Sequence, residues 1–262
     1  MEKCEYNRGT KQNDWRLEMQ KLTKDVIQWI RNQVPKGSKV IIGISGGKDS
    51  TITAALCVKA LGKENVIGVL MPNGIQSDIS DSYKVCEYLG IKPIEINIGN
   101  SYNLLVSRVC KDEHIIPEMI RTNLPSRLRM ATLYAVAALY PNSRVVNTSN
   151  WSERYIGYCT KGGDTVADFS PLGMLTVREV LAIGDDLGLP YNLVHKTPAD
   201  GMSGKSDEEK IGFTYEELDN YLLIENKTPS REVLAKINKM HEANKHKLLP
   251  MPMFNPNEEE TI

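Results

Sequence analysis

Val40-Ile41-Ile42-Gly43-Ile44-Ser45-Gly46-Gly47-Lys48-Asp49-Ser50 is the stretch that decides the fold. Its first five residues form a short, β-branched apolar run without charge, which reads as a strand buried in a parallel sheet. Ser50 to Leu61, STITAALCVKAL, opens on hydroxyl residues and continues with apolar spacing that suits a helix. The glycines therefore occupy a strand-to-helix turn. Residues without a Cβ let the backbone approach a ligand closely, and the free N–H groups of the first helical turn attract an anion. The turn is a phosphate cradle, but of neither common kind. A Walker A loop needs Ser or Thr where Asp49 stands and Gly where Ile42 stands, and the GxGxxG spacing of a dinucleotide fingerprint is missing. An acidic residue beside phosphate-binding amides makes chemical sense when a metal joins them.

Upstream of this stretch, Trp15, Met19, Leu22, Val26 and Ile30 recur at three- and four-residue steps, which predicts an amphipathic helix from Asn13 to Val34. That stripe faces either the sheet or a second subunit. Pro35-Lys36-Gly37-Ser38 ends it. Downstream, Val66 to Met71 reads as strand two and runs into the turn Pro72 to Asp78. A helix from Ile79 to Leu89 and a strand from Pro93 to Ile98 follow. This β-α-β-α-β alternation specifies an α/β fold, a doubly wound parallel sheet flanked by helices, Rossmann-like in class. Pro125 to Tyr140 predicts a further helix with Arg127 and Arg129 in its first turns, where they oppose the macrodipole. Arg144 to Thr148 is the fourth strand. Thr176-Val177-Arg178-Glu179 has the spacing of a capping box and starts a helix that Gly188 and Pro190 close. Helices are also expected over Phe213 to Leu223 and Ser230 to Ala243, before a disordered tail at 255–262.

The 262 residues suffice for one large α/β domain spanning 1–262. With 32 Lys and Arg against 33 Asp and Glu there is no global field to hold nucleic acid. Cys4, Cys57, Cys86, Cys110 and Cys159 are dispersed without a CxxC pair, which argues for a reducing compartment and against zinc. No run approaches the roughly 18 apolar residues of a membrane span, and the charged N-terminus lacks a signal-peptide core. A cytoplasmic protein is expected.

Ser45-Gly46-Gly47-Lys48-Asp49-Ser50 is similar to the Ser-Gly-Gly-x-Asp-Ser pyrophosphate loop of the ATP pyrophosphatases, which split ATP into AMP and pyrophosphate to activate a substrate. Further motifs narrow the likeness. Arg127-x-Arg129-Met130 on a helix, Thr148-x-Asn150-x-x-Glu153, Gly157-Tyr158-x-Thr160-Lys161-x-Gly163-Asp164 and Ala167-Asp168 resemble those of NAD synthetase, in the same order and spacing. The likeness runs from Gly43 to about Tyr221 and thins toward the C-terminus. It implies an adenine nucleotide alpha hydrolase-like fold. The implied reaction is amidation of nicotinic acid adenine dinucleotide, with ATP as co-substrate and magnesium as cofactor. The pyridine carboxylate is a poor electrophile, so its oxygen first attacks the α-phosphorus of ATP. Ammonia then displaces AMP from the mixed anhydride.

By the same resemblance, Ser45, Gly46, Gly47 and Ser50 hold the departing pyrophosphate, Lys48 and Asp49 of the same loop also bind ATP, Gly43 and Ile44 line the adenosine side and Thr148 contacts ATP. Asp49 and Glu153 bind magnesium. Arg127, Lys161, Asp168, His246 and Lys247 bind the dinucleotide, across a homodimer interface for which the apolar stripes of helices 13–34 and 125–140 offer faces. Asp164 is either a base for ammonium or the cap of a turn that follows two glycines. The family's glutamine-using members carry an additional amidase domain. With only 42 residues ahead of the loop, ammonia is the expected nitrogen source.

Two positions depart from the pattern. Many synthetases have Leu-Thr-Lys where this chain has Leu175-Thr176-Val177, and a hydroxyl residue where it has Ala199. The triphosphate still needs cations. Arg178 lies about 100° further around its helix, so Lys205 is the expected substitute, carried by a glycine-rich lid over 197–208. Two other readings share part of the pattern: a different amidating or thiolating pyrophosphatase, and a noncatalytic adenine-nucleotide sensor. The first would lack the Thr-Lys-x-Gly-Asp segment. The second would have no use for the Asp49 and Glu153 pair.

Overall fold

Side-chain alternation along the two central strands builds the protein outward from both faces of its sheet. In the computed structural model, which describes residues 12–113, 115–195, 206–223 and 229–254, strand β1 (Val40–Gly43) pairs in parallel with strand β2 (Val66–Leu70), Val40 opposite Val66. Val40, Ile42, Ile44, Val66 and Leu70 join one apolar cluster, and Ile41, Val69 and Met71 join another. This is the period-two pattern of strands covered on both sides. The first cluster is closed by helices α1 (Gln12–Gln33), α2 (Lys48–Leu61) and, late in the chain, α7 (Val177–Asp186). The second is closed by α5 (Glu118–Ala137) through Met130, Leu133 and Val136.

From β1 the chain moves outward through β2 and α3 (Ile79–Leu89) to β3 (Pro93–Glu95), parallel to β2. It returns through α4 (Gly99–Val109) and α5 and lays β4 (Arg144–Val145) on the free side of β1, again in parallel. Among the described residues the order is β3-β2-β1-β4, so the direction of winding switches between β1 and β4. In open α/β sheets the crevice at such a switch point, beyond the carboxyl ends of the strands, is where ligands bind. The doubly wound parallel sheet expected from the sequence is present.

Three details differ from that expectation. Strand β3 stops at Glu95 rather than Ile98, although Ile96 and Ile98 still donate to the carbonyls of Leu70 and Pro72 at 2.8 and 2.9 Å. Pro72 has no N–H to return a bond, so the ladder becomes one-sided. Strand β4 ends at Val145 because the chain turns to a new neighbour, Val146 bridging to Phe169 in parallel. The third correction concerns α5, which begins at Glu118 with Pro125 buried inside it. Arg127 and Arg129 therefore stand in mid-helix, and the macrodipole argument against them does not apply.

The apolar stripe of α1 is used within its own chain: Met19, Val26 and Ile30 are buried, and the helix packs on α2 and α7. A third cluster, of Ile156, Val177, Ile211, Phe213, Tyr215, Leu218 and Ile237, joins α6 (Trp151–Ile156) and α7 to the helices Asp207–Ile211, Tyr215–Leu222 and Arg231–Asn244. The capping box at Thr176 and Glu179 forms as the spacing predicts, with the Thr176 amide on the Glu179 carboxylate at 2.9 Å. No helix among the described residues is long and apolar enough to cross a membrane. The tail at 255–262 and the lid residues 197–205 lie outside the described residues.

Candidate active site

The loop at 45–50 folds as its glycines require. Gly46 has φ +77°, and a Cβ there would stand 2.9 Å from the Cβ of Asp81 and from the backbone nitrogen of Ser82, at the start of α3. Only glycine combines that left-handed backbone with that close approach. Gly47 caps α2, and the Ser50 hydroxyl donates to its carbonyl at 3.0 Å while accepting from the Ser45 amide at 3.2 Å. The Ser45 hydroxyl accepts from the Gly47 amide at 3.2 Å. These bonds shape a turn whose amides and hydroxyls converge at the carboxyl end of β1. Ile44 is buried beneath it, so its backbone is the part available to a ligand, and Gly43 lies against Met71 and Leu133 of the opposite face.

Across the switch point, α6 starts at Asn150, whose side chain does two jobs. Its oxygen accepts from the Glu153 amide at 2.9 Å, and its nitrogen donates to Oδ1 of Asp49 at 3.1 Å. The other Asp49 oxygen, Oδ2, accepts from Nζ of Lys48 at 2.7 Å. One buried asparagine thus ties the acid after β1 to the helix that carries the acid after β4. Desolvation, and then the neighbouring charge of Asp49, push the Glu153 carboxyl well above the usual carboxylate range, with Lys48 pulling the other way. Lys48 is 7% exposed. Desolvation works against its charge, but Asp49, Glu153 and Asp207 outweigh that and hold it protonated above the ordinary lysine value. The structure brings Asp49 and Glu153 close enough for the charge of one to act on the other. It adds Asn150, Asp207 and the ring of Tyr215, whose centroid lies 5.8 Å from the Lys48 ammonium.

Two carboxylates beside the open amides of a strand-to-helix turn are a donor set that fits magnesium, which takes one or two carboxylates and completes its shell from phosphates and water. No cluster of three or more His, Cys, Asp or Glu suited to a metal occurs among the described residues, so protein ligands alone do not make a closed cage.

Four of the five dinucleotide candidates meet along the 157–161 segment that follows α6. Arg127 donates to the carbonyl of Lys161 at 3.1 Å, and Lys161 donates to the carbonyl of His246 at 2.9 Å. Lys247 donates to the carbonyls of Gly157 and Cys159 at 2.8 and 3.0 Å. The fifth, Asp168, stands apart from this chain of contacts. Its carboxylate accepts from the Val145 amide at 2.7 Å and from the Tyr134 hydroxyl at 3.3 Å, which fixes the outer edge of β4. Asp164 caps its turn: Oδ1 accepts from the Thr160 amide at 2.6 Å and from the Ser126 hydroxyl at 3.3 Å. Desolvation raises its carboxyl pKa despite those donors. Thr148 is half-buried just past β4.

A cavity of about 610 Å³ opens beside the loop, lined among others by Lys48, Val177, Arg178, Asp207 and Tyr215. Val177 is the first residue of α7, 7% exposed and packed in the C-terminal cluster. Arg178 stands over the ring of Trp15, 5.6 Å from its centroid, while its amide donates to Asp219. Lys205 and Ala199 lie outside the described residues. Sequence reasoning missed the role of Asn150 although the signal was present, since Asn-x-x-Glu is the spacing of a helix cap followed by an acid in the first turn. It also missed the role of Arg129, which the sequence placed only in a first helical turn. Arg129 is half-buried and donates to the carbonyl of Met71, tying α5 to the end of β2.

The family model described as NAD synthase matches residues 22–251. An NH3-dependent NAD+ synthetase of Syntrophomonas wolfei is 38% identical over 242 residues, covering 88% of this chain and 95% of its own. One of Methanocaldococcus jannaschii is 36% identical over 227 residues, 85% and 87% of the two chains. Among solved structures, an NMN synthetase from Francisella tularensis superposes with a TM-score of 0.80 at 31% identity, covering 91% of this chain and 98% of that one. The NH3-dependent NAD synthetase of Campylobacter jejuni gives 0.72 at 29% identity over 90% and 99%.

Proposed function

Because the chain belongs to the NAD synthase family, we propose that it amidates nicotinic acid adenine dinucleotide with ammonia, at the expense of ATP, giving NAD, AMP and pyrophosphate. The observation that carries this reading is the convergence of a phosphate loop after β1 with the Asp49, Asn150 and Glu153 group after β4, at the sheet's switch point. A carboxylate oxygen of the substrate forms a bond to the α-phosphorus as the bond to the β-phosphate oxygen breaks. Both reactants are anionic, so charge is the main barrier. The amides and hydroxyls of Ser45, Gly46, Gly47 and Ser50 receive the leaving pyrophosphate. Magnesium held by Asp49 and Glu153 would neutralise phosphate oxygens. In the second half, the ammonia nitrogen bonds to the acyl carbon, AMP leaves with the anhydride oxygen, and a proton is released.

Thr148 contacts ATP from the β4 side. Arg127, Lys161, His246 and Lys247 hold the dinucleotide, a reading supported by their meeting along the 157–161 segment. Asp168 acts on the same substrate from β4. Residues 1–262 work as one catalytic domain, which the packing of α1 against α2 and α7 supports. In this reading the protein works in the cytoplasm, where ATP is supplied.

Purified protein supplied with ATP, ammonium and the dinucleotide acid should form NAD and AMP in equal amounts, and an absence of NAD would refute the assignment. The Francisella protein's name makes nicotinic acid mononucleotide the rival acceptor. Offered in parallel, it should react more slowly, and a preference for it would move the substrate to the mononucleotide. Ammonium alone should suffice as nitrogen source, and equal rates on glutamine, free of contaminating glutaminase, would contradict that.

The active form is a homodimer. The stripe of α1 is covered by its own chain, and Met130, Leu133 and Val136 of α5 face the sheet. One apolar surface open to a partner runs from α4 through the segment after it to the start of α5, where Leu104, Val109, Ile115 and Met119 are each at least 60% exposed. Light scattering at micromolar concentration should give twice the mass of one chain, and Leu104→Glu with Val109→Glu should halve it. A fully active wild-type monomer would exclude the dimer.

A further inference from the structure

Glu153 is carried by a helix of only six residues, too short to hold itself in water, so the geometry of α6 is set by what grips its first turn. Asn150 caps it, and the Trp151 amide donates to the carbonyl of Leu175 at 2.7 Å. A further grip comes from the helix Tyr215–Leu222. The Ser152 hydroxyl, next to Glu153 in the chain, donates to Oδ1 of Asp219 at 2.5 Å. The other Asp219 oxygen, Oδ2, accepts from the Arg178 amide at 2.8 Å, and the Val177 amide donates to the Ser152 hydroxyl at 3.1 Å. One carboxylate thus joins the starts of α6 and α7.

This junction is dry, with Ser152 fully buried and Asp219 2% exposed. Desolvation pushes the Asp219 carboxyl pKa up, against the pull of the Ser152 hydroxyl and the Arg178 amide. The positive end of α7 offsets part of the cost of the charge. Stability alone is a weak reason to bury a carboxylate, whereas orientation is a strong one: a hydroxyl that donates to a fixed carboxylate and accepts from a fixed amide has one direction to point. Glu153 needs such a base. It is desolvated and repelled by Asp49, so a first turn free to tilt would carry it away from its partner.

We propose that Asp219 is a positioning residue for the reaction: acting through the Ser152 hydroxyl, it fixes the first turn of α6 and so holds Glu153 facing Asp49 for a shared magnesium ion. This rests on the reading above in which those two acids hold magnesium. Asp219 acts at the start of α6, and the dinucleotide candidates gather past its other end, so loss of Asp219 should be felt in the metal and not in the dinucleotide.

Calorimetric titration of the full chain with a non-hydrolysable ATP analogue, over a series of free magnesium concentrations, reads this without turnover. Asp219→Ala and Ser152→Ala should each raise the magnesium needed for half-maximal tightening of the analogue by about tenfold, the low end for losing a group that orients a metal ligand. KM for the dinucleotide should stay unchanged. Asp219→Asn, whose amide can still bond to both partners, should recover most of the magnesium response. If Asp219→Ala does not fold, Ser152→Ala carries the measurement, because it leaves the bond between Asp219 and the Arg178 amide in place. Variants that melt at a lower temperature but respond to magnesium as the wild type does would overturn the proposal and leave Asp219 as a structural cap of α7. So would a dinucleotide KM that rises as much as the magnesium requirement. Failure of the reading it rests on is distinguishable: Glu153→Gln would then need no more magnesium than the wild type, or wild-type protein would form no NAD.

Discussion

Asp49→Asn and Glu153→Gln should each lower NAD synthesis by about 100-fold or more, the cost of losing one strong electrostatic contact to a transition state. Their effects on stability should differ. Glu153 is poorly solvated and repelled by Asp49, so a neutral amide in its place relieves an unfavourable interaction. Glu153→Gln should melt at or above the wild-type temperature while being nearly inactive. Asp49 accepts from both Lys48 and Asn150. Its amide replacement leaves a buried ammonium without its charged partner, and breaking such a pair typically costs about 3–5 kcal/mol. Asp49→Asn should therefore be both inactive and less stable. Near-normal turnover in either variant, measured at saturating ATP and magnesium, would reject the assigned pair. A Glu153→Gln protein destabilised as much as Asp49→Asn would show that Glu153 is structural.

The sheet was legible in the sequence because its strands are buried on both faces and its connections are short. Val40 to Ile44 and Val66 to Met71 carry no charge, and each runs into glycine or proline followed by a helical pattern. Strand ends were less legible, since they depend on which neighbour can return a hydrogen bond. Pro72 truncates the ladder to β3 from the adjacent strand, and no local property of residues 96–98 could reveal that. The start of α5 was misread for the opposite reason: Pro125 carries a strong local signal for a first turn, and burial in the helix interior overrode it.

In the site, motif residues were legible and the groups that position them were not. Asp49 and Glu153 are separated by over a hundred positions, and only the return of the chain to the free side of β1 brings them together. Asn150 was quoted in a motif, but its bond to Asp49 needs that same return. Lys48 occupied the unspecified position of the loop motif, where sequence pattern gives no reason to expect a buried ammonium facing acids from two later segments.

Replacing Gly46 with alanine should cost more, in both stability and turnover, than the same change at its neighbour Gly47. At Gly46 a side chain must adopt φ +77°, which disfavours L-residues by about 1–2 kcal/mol. Its Cβ would also lie 2.9 Å from the backbone nitrogen of Ser82. That atom is part of a helix and cannot turn aside as a flexible side-chain end would, so either the loop or α3 has to shift. A total loss of about 2–4 kcal/mol is expected in denaturant unfolding. Turnover should fall by about 100-fold, because a displacement of about 1 Å in positioning groups has that effect. Gly47 has φ −83°, open to any residue, and its Cβ would meet only the Ser45 hydroxyl at 3.3 Å. Gly47→Ala should stay within about 1 kcal/mol of wild type, the usual range for a cap position, and lose activity through its methyl group at the cradle alone. Equal destabilisation by the two substitutions would show that the loop is not held against the start of α3, and the backbone account of the phosphate cradle would then be wrong.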